Sequence, residues 1–228
     1  MRPSYVEDFS SGVGGWGGWR RQGEHVPLAV EDGVLVIEGP WGVDAYHAPP
    51  GGGYLALLTY LHTDDRFVPD FARPNRFIEG RHSTDLRGAR LSVRLRGHLR
   101  LRGAELVVLV QSEIDGVVAN WVLVDQPIGV AADWAEQTVQ LDPDPARWRC
   151  LGTRHDIADY GYAPIEDVLA DVNLDLILVL YPLTVVPREP TDDIHRLRPE
   201  IDYAIDEAHL PDGRVEISSI RIDYPEGS

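Results

Sequence analysis

The feature that most constrains the fold is a regular alternation of apolar and polar positions between Arg90 and Arg102. The odd positions are leucine, valine or glycine, and the even positions are mostly arginine. Successive side chains of a β-strand point to opposite faces, so a period of two predicts strands with one buried face and one arginine-rich face. Because the stretch is longer than a typical strand, we expect two strands hinged near Gly97.

Further strand signals follow along the chain. Two apolar runs flank the pair Asp115-Gly116, which is typical of a tight β-hairpin. The predicted strands cover residues 105–110, 117–124, 138–141, 174–181 and 215–224. The run at 174–181 is apolar except for Asp175, which predicts burial on both faces. In the last run the apolar phase slips around Ser218, which indicates a β-bulge.

Helical signals are scarce and concentrate in one place. Residues 164–172 begin with proline, carry acids in the first turn and place four aliphatic side chains on one face. We therefore predict an all-β chain, a two-sheet antiparallel β-sandwich of the jelly-roll type, with one short amphipathic helix packed on a sheet. The 228 residues fit a single domain, 1–228, with a long acidic insertion at 187–211 before the last strand.

Charge and composition exclude several functions. A formal net charge of -16 argues against nucleic acid as a partner, since a phosphate-backbone binder needs the opposite sign. No apolar segment is long enough for a membrane helix, and the N-terminal residues do not form a signal peptide, so we expect a cytoplasmic protein. The lone Cys150 cannot form an intramolecular disulfide.

Several catalytic and cofactor motifs are absent or incomplete. Residues 12–17 match the glycine pattern of dinucleotide-binding loops, but no helix-forming sequence follows them, so we interpret them as a glycine-rich loop. The histidines form no zinc-binding pattern, and no serine-nucleophile motif is present. Glu200 and Asp202 begin a paired-carboxylate pattern of the kind used by β-sandwich glucan hydrolases, but the third acid is missing. With His195 nearby, they are the catalytic candidates of a carbohydrate-active hydrolase or lyase.

Aromatic and arginine side chains supply the ligand-binding candidates. Trp16, Trp19 and Trp41 lie in glycine-rich surroundings and are candidate stacking surfaces for sugar rings, although each could instead cap the sandwich edge. We expect the other three tryptophans, Trp121, Trp134 and Trp148, in the core. Arg90, Arg94 and Arg96 would share one strand face. They either pair with acids on neighbouring strands or bind carboxylated or phosphorylated ligands.

The order of these segments is similar to a known family. The opening FSSGVGGW and EDGVLVIEG, the stretch DLRGARLSVRLRG, the run PIEDVLADVNLDLILVL and the closing ISSIRID resemble the laminin B (laminin IV type A) domain. Its wider relatives are galactose-binding-like jelly rolls, which include carbohydrate-binding modules. The resemblance implies a non-catalytic sugar-binding role and a structural calcium near the chain ends. Glu7, Asp8 and Asp223 are the residues onto which that calcium site can be carried.

Three functions follow as hypotheses. The first is a non-catalytic carbohydrate-binding or accessory domain whose ligand is a carbohydrate or a small acidic molecule. The second is the hydrolase or lyase described above. The third is a structural subunit that docks a protein partner through the insertion at 187–211.

Overall fold

Two β-sheets packed face to face account for most of the chain. The computed structural model describes residues 3–19, 24–44, 46–47, 54–154, 156–183, 188–190 and 210–226. The sheets consist almost entirely of antiparallel strands, and the predicted all-β, two-sheet sandwich is confirmed. Within the described residues, no helix has the length and apolar character needed to cross a membrane.

Sheet A contains the predicted arginine-rich strand. Its strands, in spatial order, are β11 (Ala135–Leu141), β8 (Ala89–Arg100), β15 (Asp212–Asp223), β5 (Val34–Glu38) and β4 (Ala29–Glu31), with β1 (Tyr5–Glu7) also paired to β15. The expected hinge at Gly97 is wrong, because β8 is one continuous strand of 12 residues. Strand β15 pairs with it from Arg100 to Arg90, so one hydrogen-bonded ladder spans the glycine. The predicted bulge is confirmed by a register shift between Ile217 and Ser219.

Sheet B is the larger layer. In spatial order it contains β12 (Trp148–Cys150), β10 (Val117–Leu123), β9 (Glu105–Ile114), β14 (Asp175–Leu183), β7 (Tyr54–His62), β2 (Trp16–Trp19) and β3 (His25–Val26). Two short strands complete it, β13 (Tyr160–Gly161) beside β10 and β6 (Gly42–Asp44) beside β7. The hairpin between β9 and β10 turns at Asp115 and Gly116, which both have positive φ, as a tight hairpin turn requires.

Two short helices accompany the sheets. Helix α2 (Ile165–Ala170) confirms the predicted helix. It buries three aliphatic side chains, and the carbonyl of Val168 accepts a hydrogen bond from the Ser112 hydroxyl of β9 at 3.1 Å. Helix α1 (Arg76–Glu79) is a single turn that the sequence did not predict.

The glycine-rich segment leading into β2 has a packing role. A Cβ atom on Gly14, which has φ +60°, would lie 1.7 Å from the Glu7 carboxylate. A Cβ on Gly15 would meet the Asn75 side chain at 2.6 Å. These glycines leave room for buried polar side chains.

Apolar side chains bury both faces of sheet B. One set packs between the two sheets and forms the main core. A second set on the outward face includes Leu55, Leu109, Ile177 and Val179. The mostly apolar strand β14 is thus buried on both faces, as predicted from its sequence. This second apolar layer forms the base of the site described next.

Candidate functional site

A groove of about 580 Å³ crosses the outward face of sheet B. Its floor consists of aliphatic side chains from neighbouring strands, with Leu57 from β7, Ile177 from β14 and Leu109 from β9. These residues lie on one face because side chains alternate along each strand. Around this floor stand aromatic and polar side chains, a composition typical of small-molecule binding sites.

One wall of the groove is a charged network centred on Arg154. Its guanidinium donates Nε and NH2 to the two carboxylate oxygens of Asp156, both at 2.9 Å, and NH1 to Asp44 at 2.6 Å. The same guanidinium lies over the rings of Tyr46 and Tyr160, at 5.2 and 4.8 Å from the ring centres. Although burial opposes it, bonding to His47 and the charge of Arg154 lower the pKa of Asp44 to about 2. The network therefore keeps Asp44 ionised at neutral pH.

The opposite wall is a cluster of aromatic and imidazole rings. Nδ1 of His62 donates to the carboxylate of Asp175, and the His62 ring stacks on His25 with 5.4 Å between ring centres. Tyr60 packs against both rings, with 5.0 and 4.4 Å between ring centres, and its hydroxyl is hydrogen-bonded to Nδ1 of His25 at 2.7 Å. Burial, together with the neighbouring His62, lowers the pKa of His25, so this ring is neutral at pH 7. Trp19 closes this wall, 4.1 Å from Tyr60 between ring centres.

Three buried polar atoms of groove residues have no hydrogen-bond partner among the residues that the structure describes. They are Nδ1 of His47, Nε2 of His62 and Oδ1 of Asn120, and each residue is less than 5% exposed. An unsatisfied buried polar atom costs free energy, so such atoms are rare in folded proteins. These three atoms are available to hydrogen-bond water or a polar ligand.

The tryptophans predicted as stacking surfaces differ in position. Trp16 is fully buried and donates its indole N–H to Tyr5 at 3.0 Å, so the prediction of an exposed ring is wrong for it. Trp41 is 4% exposed and packs in the main core. Both rings belong to the main core, and neither is available as a stacking surface. Only Trp19 of the three lines the groove.

Of the predicted core tryptophans, Trp121 and Trp148 are buried as expected. Trp134 is not, because it lies on sheet A's outward side under two guanidinium groups. Arg94 and Arg96 stack on its ring at 5.1 and 4.7 Å from the centre.

The arginine candidates lie on the outward face of sheet A, away from the groove. Arg96 pairs with Glu216 at 2.7 Å, and Arg94 donates to the Ser218 hydroxyl at 3.0 Å. Arg90 lies opposite Asp223 in the register of β8 and β15. Arg96 thus follows the first of the two alternatives, pairing with an acid on a neighbouring strand.

The candidate calcium residues do not form one site. The Glu7 carboxylate is fully buried, and it accepts from the Phe9 amide at 2.8 Å and from Arg76. Asp223 accepts from Ser4 and Arg221, at 2.6 and 2.7 Å. Asp8 accepts from the amide and hydroxyl of Ser10. No group of three or more His, Cys, Asp or Glu side chains in the described part of the chain is arranged to hold a metal ion. Calcium takes six to eight oxygen ligands, and its binding at Glu7, Asp8 and Asp223 stays a prediction.

The catalytic candidates Glu200, Asp202 and His195 lie outside the described residues, as does most of the insertion at 187–211. Sequence reasoning missed the groove residues themselves, Asp44, His62, Arg154 and Asp175 among them. One signal was present, since a strand buried on both faces needs a second apolar layer outside the main core. Nothing in the local sequence joins His62 to Asp175, which pair across two neighbouring strands.

Comparison with solved structures gives two similar chains. The L4b domain of human laminin alpha-2 has a TM-score of 0.42 and 7% identity, and the match covers 99% of this chain and 100% of that one. The second is a structure described as "Prominent members of the human gut microbiota express endo-acting O-glycanases to initiate mucin breakdown". It has a TM-score of 0.39 and 13% identity, with 96% of this chain and 97% of that one covered. No protein-family model matches the chain, and no curated protein matches its sequence significantly.

The first of these structures is a laminin domain, the kind of domain that the sequence pattern resembles. At such identities and TM-scores, neither similarity bears on what this chain binds or does. Functional inference therefore rests on the groove.

Proposed function

We propose that this protein binds carbohydrate in the groove on sheet B. The observation that carries the proposal is the set of unpartnered polar atoms of His47, His62 and Asn120 in a groove with an apolar floor and aromatic walls. A sugar ring presents hydroxyl groups around its edge and C–H groups on its faces. Hydroxyls can supply the missing hydrogen bonds, and the C–H faces fit aromatic rings such as Trp19 and Tyr160.

The size of the groove supports a small oligosaccharide. Its volume of about 580 Å³ falls within the range usual for small-molecule sites. The lining combines aliphatic side chains with polar groups such as His62, Asn120 and Arg154. The earlier idea of a small acidic ligand on the arginine face is less well supported, because Arg96 is already paired with Glu216.

The test is a thermal-shift screen against an oligosaccharide panel, with calorimetry on every hit. A ligand of the native state raises the unfolding temperature in a saturable way. Val118→Arg places a long side chain in the groove and should abolish the shift, whereas Thr138→Arg adds the same side chain to an exposed position on sheet A and should not. Absence of any saturable response across the panel, or equal loss in both variants, would contradict the proposal.

A second candidate function is catalysis on the same ligand. The observation that favours it is the His62–Asp175 pair, in which a carboxylate fixes Nδ1 and leaves Nε2 without a partner. An imidazole oriented in this way is suited to general acid–base catalysis. Long incubation with each hit distinguishes the two functions. Binding predicts intact oligosaccharide, whereas turnover that is lost in His62→Ala but kept in His98→Ala, a change on sheet A, would establish the enzyme.

A further inference from the structure

The groove is acidic among the residues that the structure describes. Its lining carries four carboxylates, Asp44, Glu113, Asp156 and Asp175, and a single guanidinium, Arg154. With the histidines neutral, these five groups give the lining a net charge of three negative units. Protonation of both His47 and His62 would still leave one negative unit.

Arginine binds acid groups through a fork, which is a pair of parallel N–H donors on its guanidinium. In Arg154 this fork is already bonded to Asp156. Nε and NH2 donate in parallel to Asp156, while NH1 donates to Asp44. The faces of the group are also covered, since Tyr46 and Tyr160 lie against it. Arginine binds carboxylate and sulfate groups through such a fork, and here an internal carboxylate occupies it.

Two of the three unpartnered polar atoms can accept hydrogen bonds. Oδ1 of Asn120 has no partner and is an acceptor only. In the neutral ring of His62, Nδ1 carries the proton and donates it in the hydrogen bond to Asp175, so Nε2 is an acceptor. Carboxylate oxygens at the groove walls add further acceptors. A ligand that matches this surface must bring O–H or N–H donors, which an ionised acid group lacks.

From these three observations we infer that the groove selects neutral and amino sugars and excludes sugars that carry carboxylate or sulfate groups. This inference rests on the proposed function, since it specifies the class of carbohydrate bound at the same site. Both charge and hydrogen bonding disfavour an anionic sugar. Its acid group would place hydrogen-bond acceptors and a negative charge against the acceptors and negative charges of the groove.

Matched triads of oligosaccharides test the inference. Each triad has one backbone in three forms, neutral, amino and uronic, and the backbones are β-1,4-gluco, β-1,3-gluco and galacto oligomers. For any backbone that binds, calorimetry should give at least about tenfold weaker binding of the uronic form, in line with the cost of placing like charges together at an interface. The advantage of the amino form over the neutral form should shrink as salt rises.

The outcomes separate the two claims. Uronic binding equal to or tighter than neutral binding would overturn the inference and leave carbohydrate binding in place. No binding in any triad would overturn the proposed function, and the inference with it.

Asp156→Asn sharpens the result, because it frees the fork of Arg154 and removes one negative charge. The variant should bind uronic relative to neutral sugar about threefold better, which is the scale of one partly exposed ion pair. Asp212→Asn makes the same charge change beside Arg100 on sheet A and should leave the ratio unchanged. An unchanged ratio in Asp156→Asn would contradict the charge explanation.

Discussion

The outward faces of the two sheets use similar residues in different ways. On sheet A, Arg94 and Arg96 stack on Trp134, and Arg96 pairs with Glu216 near solvent. On sheet B, Arg154 stacks on two tyrosines and pairs with two aspartates, but its side chain is only 12% exposed. Sheet A presents paired charges on an open strand surface, whereas sheet B encloses them beside polar atoms that lack partners. Composition alone therefore does not mark a binding face. Our proposal of a binding face on sheet B rests instead on enclosure and unsatisfied hydrogen bonding.

The largest expected effect comes from removing Arg154, the cation of the groove network, compared with removing an arginine from the surface of sheet A. Arg154→Met leaves Asp44 buried without its guanidinium, so we expect a loss of about 3–5 kcal/mol in the free energy of unfolding. Arg100→Met breaks the solvent-exposed pair with Asp212 and should cost about 1 kcal/mol or less. Urea titration of both variants measures the difference. Equal losses would mean that the groove network is no more enclosed than the exposed pair of Arg100 and Asp212.

Acid should weaken the groove network over a defined range of pH. The folded-state pKa of Asp44, about 2, is below its ordinary value of 3.8, so its contribution is full above pH 3.8 and is lost as pH falls toward 2. The shift corresponds to about 2 kcal/mol. Asp44→Asn should therefore be less stable than the parent at pH 6, with the gap closing between about pH 4 and pH 2.

Glu216→Gln is the matched change on sheet A. The bond from Arg96 also lowers the pKa of Glu216, but this group lies near solvent, so the variant should show a smaller dependence on pH. A gap for Asp44→Asn that stays constant across this pH range would contradict the assignment.

Two tryptophans give the comparison for binding. Trp19→Ala removes a ring from the groove and should weaken oligosaccharide binding by about tenfold, a scale usual for aromatic side chains at binding sites. Trp134→Ala removes a ring of the same kind from the arginine face and should leave affinity unchanged. Calorimetry with the tightest ligand of the panel measures both affinities. A larger loss of affinity in Trp134→Ala would indicate that the ligand binds on sheet A.

The smallest expected effect is that of calcium. Arg76 and Arg221 already bind the carboxylates of Glu7 and Asp223, so added calcium or a chelator should leave the unfolding temperature unchanged. A saturable rise with calcium, lost in Asp223→Asn, would restore the predicted calcium site near the chain ends.

The sequence predicted the sandwich because its strands carry strong local signals. Alternation in β8, the Asp115-Gly116 turn and the phase slip at Ser218 each reflect the geometry of a short segment. The groove depends instead on long-range pairing, and Asp44 meets Arg154 across 110 positions of the chain. Trp16 was misjudged for the same reason, since Gly14 and Gly15 before it make room for the side chains of Glu7 and Asn75. Local pattern fixes strands, and only the assembled sheets decide which residues share a site.

Chemical-shift mapping of the labelled protein, titrated with the tightest neutral oligosaccharide, tests most directly whether the groove is the ligand site. We predict that perturbed amides cluster on β7, β9, β10 and β14, around Leu57, Leu109 and Ile177, while β8 and β11 stay unchanged. Perturbations centred on β8 and β11, around Arg94 and Trp134, would contradict the account and place the ligand on the arginine face.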